Sequence, residues 1–333
     1  EFSSHEITWA IHRQIYKHRI DVLQLEYTPL AQYAEQFKQI PSILFEHDVY
    51  FQSIGRQLPN MAFSQKVKAG FEYMRALRYE LGVLPKVDRI QVCSRDNRDY
   101  LLSFLPALSD RVDDDLRAGI DTARYPLVLE GREANTLLFL GGFRHLPNQE
   151  ALAWFVKDIL PLILREQPAA TLKVVGADPP PRHAFPKLPD AVELVGFVED
   201  VIEPLTRYSV FICPILSGSG IRVKLLEAFA AGIPVVSTRI GAEGFGTGEE
   251  EICALADTAE EFARAVLDLL ASPQKARGMA TRARQHLERT RDMRTITATL
   301  EQSYRAAVSA KRPAFGDPSS HPSADLQIAR QSG

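Results

Sequence analysis

No apolar run in this chain approaches the roughly 20 residues needed to cross a bilayer, and no secretory leader pattern opens it. A cytoplasmic setting is therefore expected. Cysteine is scarce. Cys93, Cys213 and Cys253 are odd in number, widely spaced and set in apolar runs, which excludes a disulfide framework or a paired-cysteine metal site and predicts buried structural thiols. An excess of one charge is also lacking: 39 Lys and Arg stand against 42 Asp and Glu, a net of -3, too little to predict a nucleic-acid partner. No short internal repeat is visible. The first residue is Glu1 rather than methionine, so a processed, truncated or cloned fragment is expected.

What is present is globular. Hydrophobic residues make up 45% of 333, enough for two domains with their own cores. Helical and strand-like periodicities alternate along the first part: helix 6–17, strand 20–25, helix 30–37, strand 41–46, helix 63–81, strand 87–93 and helix 95–105. A polar, irregular stretch runs to Arg132. A second alternation follows: strand 137–140, helix 148–165, strands 172–175 and 192–195, helix 201–207, strand 210–213, helix 225–231 and strand 234–237. Residues 259–270, 273–288 and 294–307 read as three closing helices. Between strands, the prolines of Asp178-Pro-Pro-Pro-Arg-His forbid helix and ladder alike and predict a rigid surface loop. The tail from Lys311 is rich in Pro, Ser and Gly and predicts disorder. Such alternation specifies parallel sheets with crossover helices. Two of them in series place a ligand cleft at the carboxyl ends of their strands.

The richest stretch is Pro214-Ile-Leu-Ser-Gly-Ser-Gly-Ile-Arg-Val-Lys-Leu-Leu-Glu-Ala-Phe-Ala-Ala-Gly-Ile-Pro-Val-Val-Ser-Thr238. A glycine-rich loop that follows a buried strand and opens a helix presents unpaired N–H groups and a positive dipole end, an anion site. Arg222 and Lys224 add mobile positive charge, and Glu227 lies about one turn further along. A phosphorylated, hydroxyl-bearing ligand fits this set. The dinucleotide fingerprint does not: the third glycine is missing, and Ser237-Thr238-Arg239 stands where an acidic residue belongs.

This run, with Gly241-Ala-Glu-Gly244 after it, resembles the donor-site signature of glycosyltransferase family four, retaining transferases of the GT-B fold. Two glutamates eight positions apart are usual there. Glu227 matches the second, which implies that it binds the ribose of a nucleotide, whereas the first is replaced by Ser219. A branch with a Gly-x-Arg-x-Lys loop is closer. Leu138-Phe-Leu-Gly-Gly-Phe-Arg-His is similar to the loop opening the family's second domain, which makes Gly142 and Arg144 candidate phosphate ligands. The family's lysine is missing nearby, and Lys224 could supply that charge. Val174-Val-Gly176 and the stretch through Gly196, Phe197 and Val198 resemble the next strand end and the base-contacting loop. Gly119-Ile-Asp121 with Tyr125-Pro126 is similar to the segment before the interdomain linker. In the first domain, Ile20 to Glu26, Phe45-Glu-His-Asp48 and the Arg75 to Glu80 helix also fit, and the match makes His47 a candidate for contacting the donor sugar.

Other features have plain readings beside the functional ones. Asp113-Asp-Asp115 has the spacing of a metal-holding carboxylate pair, but its place in a polar stretch beside the linker predicts a solvated acidic turn. Glu26 and Glu80 read as solvated carboxylates or partners of arginine. Lys66, Lys68, Arg75 and Arg78 share a helix with Phe63, Val67, Phe71 and Met74. That helix is expected to turn its apolar side to the core, although a basic amphipathic helix can also touch anionic lipid.

The expected architecture is α/β, two Rossmann-like doubly wound domains facing a cleft. Residues 1–130 form the acceptor side, 131–293 the nucleotide-sugar donor side, 294–310 a helix returning to the first domain, and 311–333 a disordered tail. The resemblance also calls for a strand and a glycine-rich loop ahead of residues 6–17, so the first domain is expected to be incomplete, exposing a sheet edge or leaning on a partner chain. The expected activity is metal-independent, retaining hexosyl transfer from a nucleoside diphosphate sugar to a glycan, lipid-linked or small-molecule hydroxyl acceptor, in polysaccharide or glycoconjugate synthesis. The nucleotide sugar is a co-substrate and no cofactor is implied. His47, Arg222 and Lys224 are the catalytic candidates. Gly142, Arg144, Gly196, Phe197, Val198, Gly218, Ser219, Gly220, Ile221 and Glu227 are the donor-binding ones. A peripheral contact with the inner membrane face is the further partner this reading allows. An epimerase or phosphorylase on the same fold, or a catalytically incomplete donor-binding fragment or scaffold, are the alternatives.

Overall fold

A computed structural model describes residues 4–61, 63–114, 118–178, 188–245 and 252–311. Most of the proline loop after Asp178, Asp115 of the acidic triplet and the tail after Lys311 lie outside these residues.

The first half is built on a four-stranded sheet, β1 (Leu23–Glu26), β2 (Ser42–Glu46), β3 (Arg89–Val92) and β4 (Val112–Asp113), all parallel and in that spatial order. Every residue of β2 is buried, as a parallel strand covered on both faces requires. Its helices are α1 (His5–His18), α2 (Tyr50–Gln57), α3 (Phe63–Val83) and α4 (Arg95–Phe104). Caps set two of them. The Ser4 side chain accepts the Glu6 N–H ahead of α1, and Ser94 accepts that of Asn97 ahead of α4. Residues Thr28–Gln36 form a 3-10 helix led by Pro29 rather than the α-helix their spacing predicts. Leu25, Leu44, Phe51, Leu84, Ile90 and Leu101 fill the core, and Ile15 of α1 packs with Tyr33, Phe37 and Ile40 in a smaller cluster.

The second half contains β5 (Glu133–Leu140), α5 (Leu146–Trp154), α6 (Leu160–Glu166), β6 (Thr171–Val175), β7 (Val192–Gly196), α7 (Ile202–Arg207), β8 (Tyr208–Cys213), α8 (Val223–Ala231), β9 (Val235–Ser237), β10 (Ala254–Leu255), α9 (Ala259–Ala271), α10 (Pro273–Thr290) and α11 (Met293–Ala310). Its six parallel strands lie in the order β10-β9-β8-β5-β6-β7. The helix expected over 148–165 is divided by a π turn at Phe155–Ile159. Pro161 lacks the N–H that would continue the α ladder, so the turn before it widens. Phe139, Phe155, Phe211, Phe229 and Phe262 anchor this larger core.

Arginines hold the link between the halves. Arg132 donates to the carbonyls of Val128, Leu205, Tyr208 and Ala231, and burial pulls its pKa down to about 10. Arg284 of α10 donates to Thr122, Tyr125 and Ala230. Helix α11 then reaches the first sheet: the Tyr304 hydroxyl donates to Gln24 at 3.0 Å and the Ser303 hydroxyl to Asp113 at 2.9 Å, while Lys311 beyond it meets Asp88 at 2.6 Å. Asp113 also receives Arg89. It is a paired, half-buried residue of β4, not part of a solvated turn.

Helix α3 reverses the expected burial. Ala76, Glu80 and Val83 face inward, while Phe63, Val67, Phe71 and Met74 are 85%, 66%, 67% and 59% exposed. This apolar stripe faces outward, while Tyr73, Ala76, Leu77, Leu81 and Val83 of the same helix pack against the first core.

Candidate active site

Strand order reverses direction between β5 and β8, so a crevice opens above their carboxyl ends, where open α/β sheets bind ligands. Three loops from the second sheet and the β2–α2 loop of the first meet around it.

The loop after β8 runs through Gly218, Ser219 and Gly220 into α8. Gly220 has φ +78°, and a Cβ there would stand 2.9 Å from the His47 carbonyl oxygen, so glycine is required both by conformation and by the approach of the other half. Ser219 accepts the Val49 N–H at 3.1 Å and donates to the Asp48 carboxylate. Burial raises the Asp48 pKa, with nearby Arg222 opposing. The Arg222 guanidinium folds back onto its own loop, donating to the Ser219 carbonyl at 2.5 Å and the Gly220 carbonyl at 2.9 Å. Ile221 packs against the second core.

Lys224, in the first turn of α8, spans the switch point. Its Nζ donates to the Leu140 carbonyl at 2.9 Å and to Asn148 Oδ1 at 3.0 Å, with the Phe139 ring 5.2 Å away. Burial holds its pKa below the usual lysine value, and Arg222 adds to the effect. His145 is a neighbour that sequence reasoning missed: partial burial, then Arg222 and Lys224, lower its pKa. Asn148 in turn donates to the Gly142 carbonyl at 3.0 Å, which joins the loop after β5 to Lys224.

Glu227 accepts the Tyr125 hydroxyl at 3.1 Å, and burial raises its pKa. It stands apart from the Gly218 loop, one helical turn beyond Lys224. Gly196 and Phe197 join Phe143, Val174, Gly176 and Leu194 around a recess of about 240 Å³. Phe197 is 72% exposed, Val198 packs inward, and Arg144 lies on the rim, paired with Asp178 at 3.0 Å. The imidazole of His47 meets residues of its own half. Its Nε2 lies 2.6 Å from Glu26 and its ring stacks on Tyr27 at 4.0 Å.

The crevice has a clamp that the sequence did not disclose. Arg56 of α2 reaches across to Glu243, with contacts of 2.6 and 2.8 Å, and donates to the Gly218 carbonyl at 2.8 Å. Beside it, Gln52, Arg95, Asp96, Arg239 and Gly244 line a polar recess of about 630 Å³. The arrangement can bind an anion along the β5 and β8 ends and hold an apolar ring in the recess by Phe197. Among the described residues no cluster of three His, Cys, Asp or Glu side chains is arranged for a metal ion.

Residues 134–272 match the family model of group 1 glycosyl transferases. The matched stretch covers less than half of the chain and holds every donor-side candidate, from Gly142 to Glu227. The chain is 24% identical over 176 residues to an uncharacterised 44.6 kDa protein in the cps region of Klebsiella pneumoniae, covering 49% of this chain and 44% of that protein. It is 28% identical over 246 residues to glycogen synthase of Mycobacterium tuberculosis, covering 68% and 56%. The chain thus spans about half the length of these curated relatives. Among solved structures it resembles sucrose-phosphate synthase from Thermosynechococcus elongatus, with a TM-score of 0.72 at 19% identity over 91% of this chain and 78% of that one. It also resembles HepE of Anabaena in complex with UDP, with a TM-score of 0.67 at 13% identity over 90% and 82%. The fold is that of the GT-B glycosyltransferases.

Proposed function

We propose that this group 1 segment works in a retaining transferase that moves a sugar from a nucleoside diphosphate sugar to a hydroxyl acceptor during polysaccharide or glycoconjugate synthesis. The observation that carries the reading is Lys224 and Arg222 at the mouth of a glycine loop, placed over the β5–β8 switch point, with the Glu227 carboxylate one turn deeper. Related structures support a uridine nucleotide: HepE was solved in complex with UDP and with UDP-glucose.

In this reading the diphosphate lies along the amides of the Gly218 loop with Lys224 beneath it. The charge that develops on the leaving group as the glycosidic bond breaks is met by that ammonium, by Arg222 once it leaves its loop carbonyls, and by Arg144 at the rim. No metal is required for that neutralisation. Glu227 accepts the ribose hydroxyls, and the base enters the recess by Phe197. Ser219 occupies the position of the family's missing glutamate, but the Asp48 carboxylate stands against it from the other half, so Asp48 takes over hydrogen bonding to sugar hydroxyls. The acceptor approaches on the leaving-group side.

Calorimetry with UDP tests the donor half. Lys224→Ala and Arg222→Ala should each weaken binding, and unchanged affinity in both overturns the phosphate assignment. Product analysis of UDP-sugar with and without an added acceptor separates transfer from epimerisation. Donor binding without turnover would identify a donor-binding module instead.

A further inference from the structure

The outer face of α3 remains outside the donor reading. At about 100° per residue, Phe63, Val67, Phe71 and Met74 fall within an arc of about 80°, and all four are more than half exposed. The opposite side carries the inward Ala76, Glu80 and Val83. Lys68 and Arg75 border the arc on one side and Lys66 on the other, and Arg78 lies within its C-terminal end. Of these four cations, Arg75 has an acidic partner in Glu72, at 3.2 Å. No acidic residue lies within the arc. A stripe of large apolar side chains rimmed by cations, on a chain whose net charge is only -3, is the pattern of a helix lying in a membrane interface. No helix among the described residues is long and apolar enough to cross a membrane, so the contact is peripheral.

We propose that α3 seats the protein on a bilayer surface carrying anionic lipid. Apolar side chains enter the boundary between headgroups and acyl chains, while Lys66, Lys68, Arg75 and Arg78 meet anionic headgroups. A second copy of the chain is a poorer occupant: a two-fold pairing of this stripe with itself would set four cations against the same four. Beside the stripe, Ser64, Lys68 and Glu72 of α3 line a groove of about 1050 Å³ shared with Leu146, Trp154 and Ser217 of the second half. Seating α3 on a membrane brings that groove to the membrane surface. The proposal does not rest on sugar transfer.

The test is co-sedimentation of the full chain with vesicles of phosphatidylcholine alone and with added phosphatidylglycerol. Wild type should favour the anionic vesicles by at least about tenfold and lose most of that preference in high salt. The Phe63→Ser/Phe71→Ser and Lys66→Glu/Lys68→Glu double variants, altered only at the surface, should each weaken binding by about tenfold or more with circular dichroism and melting temperature unchanged. Equal binding to both vesicle types, no binding, or binding untouched by both variants overturns the proposal. So does a lipid-free dimer, seen by sedimentation velocity, that the same substitutions dissociate, since the stripe would then be a self-interface.

Discussion

Replacing Lys224 with methionine keeps most of the volume of the side chain and removes its charge. The ammonium has three donors. Two are used on the Leu140 carbonyl and Asn148 Oδ1, which leaves one for a phosphate oxygen. A unit charge pair about 4 Å apart at an effective dielectric near 20 interacts by about 4 kcal/mol. After exchange with water, a charged hydrogen bond retains about 1.5–3 kcal/mol, or roughly 10- to 150-fold in Kd. Calorimetry with UDP and with pyrophosphate should show that loss for both ligands, because the contact is to phosphate. Stability should move much less, since the desolvation cost of a buried ammonium disappears while two acceptors lose their donor, and these oppose one another to within about 2 kcal/mol. The pH dependence has a definite sign. Burial lowers the Lys224 pKa from 10.5, and a bound diphosphate draws it back up. Affinity is therefore full below the lowered value and falls as pH rises through it. In Lys224→Met that alkaline fall should vanish. Affinity within twofold of wild type, or an unchanged alkaline limb, refutes the placement of Lys224 under the diphosphate.

The Glu227 carboxylate faces ribose in this reading, so Glu227→Ala should weaken UDP in calorimetry while leaving pyrophosphate nearly unchanged; equal losses contradict the role. Arg56→Met leaves the Glu243 carboxylate, only 4% exposed, without its partner, and should cost about 3 kcal/mol in urea melts. Adding Glu243→Gln should recover much of it, and simple additivity of the two substitutions would show that the clamp carries no coupling. Burial raises the Glu46 pKa from 4.5 to about 8. The protonated folded form then favours stability at acid pH, in full below about 4.5, and that contribution is lost as pH rises toward 8. Glu46→Gln should flatten the decline of melting temperature across that window, and an unaltered slope counts against a buried, protonated Glu46.

The glycine loop of the second half was legible because its signals are local. Glycines at 218 and 220, the helical spacing that follows and the strand before them lie within one short stretch, and local rules place them at a strand end whatever the rest of the chain does. Lys224 was legible as a cation but not as a bridge, because its acceptors Leu140 and Asn148 come from another strand and helix. The meeting of Asp48 with Ser219 and of Arg56 with Glu243 joins residues 171 and 187 positions apart. No spacing rule reaches that far. Arg56 also sits on α2, an eight-residue helix too short for a periodic signal and absent from the predicted elements. His47 was placed correctly at the end of β2, yet the direction of its ring depends on Tyr27, whose φ of 69° turns an aromatic face toward it in a conformation that nothing in the local sequence demands.

Helix α3 shows a different limit of sequence reading. Periodicity fixes which residues share a side, and Phe63, Val67, Phe71 and Met74 do share one. It does not fix where that side goes. The inference that an apolar side is buried assumes that the other residues have nothing to offer the core, and here Tyr73, Ala76, Leu77, Leu81 and Val83 do, with Glu80 among them. Glu80, 2% exposed, accepts the backbone N–H groups of Tyr50 and Phe51 at the start of α2, and burial beside Glu46 pushes its pKa up to about 9. A protonated carboxyl is far cheaper to bury than a charged one, and the first turn of α2 needs acceptors that a hydrocarbon cannot supply. With that side committed to α2 and the sheet, the apolar stripe is left facing outward. Helix α3 carries more apolar side chains than one side can hold, and the packing of α2 and the sheet gives the inner places to Tyr73, Ala76, Leu77, Leu81 and Val83.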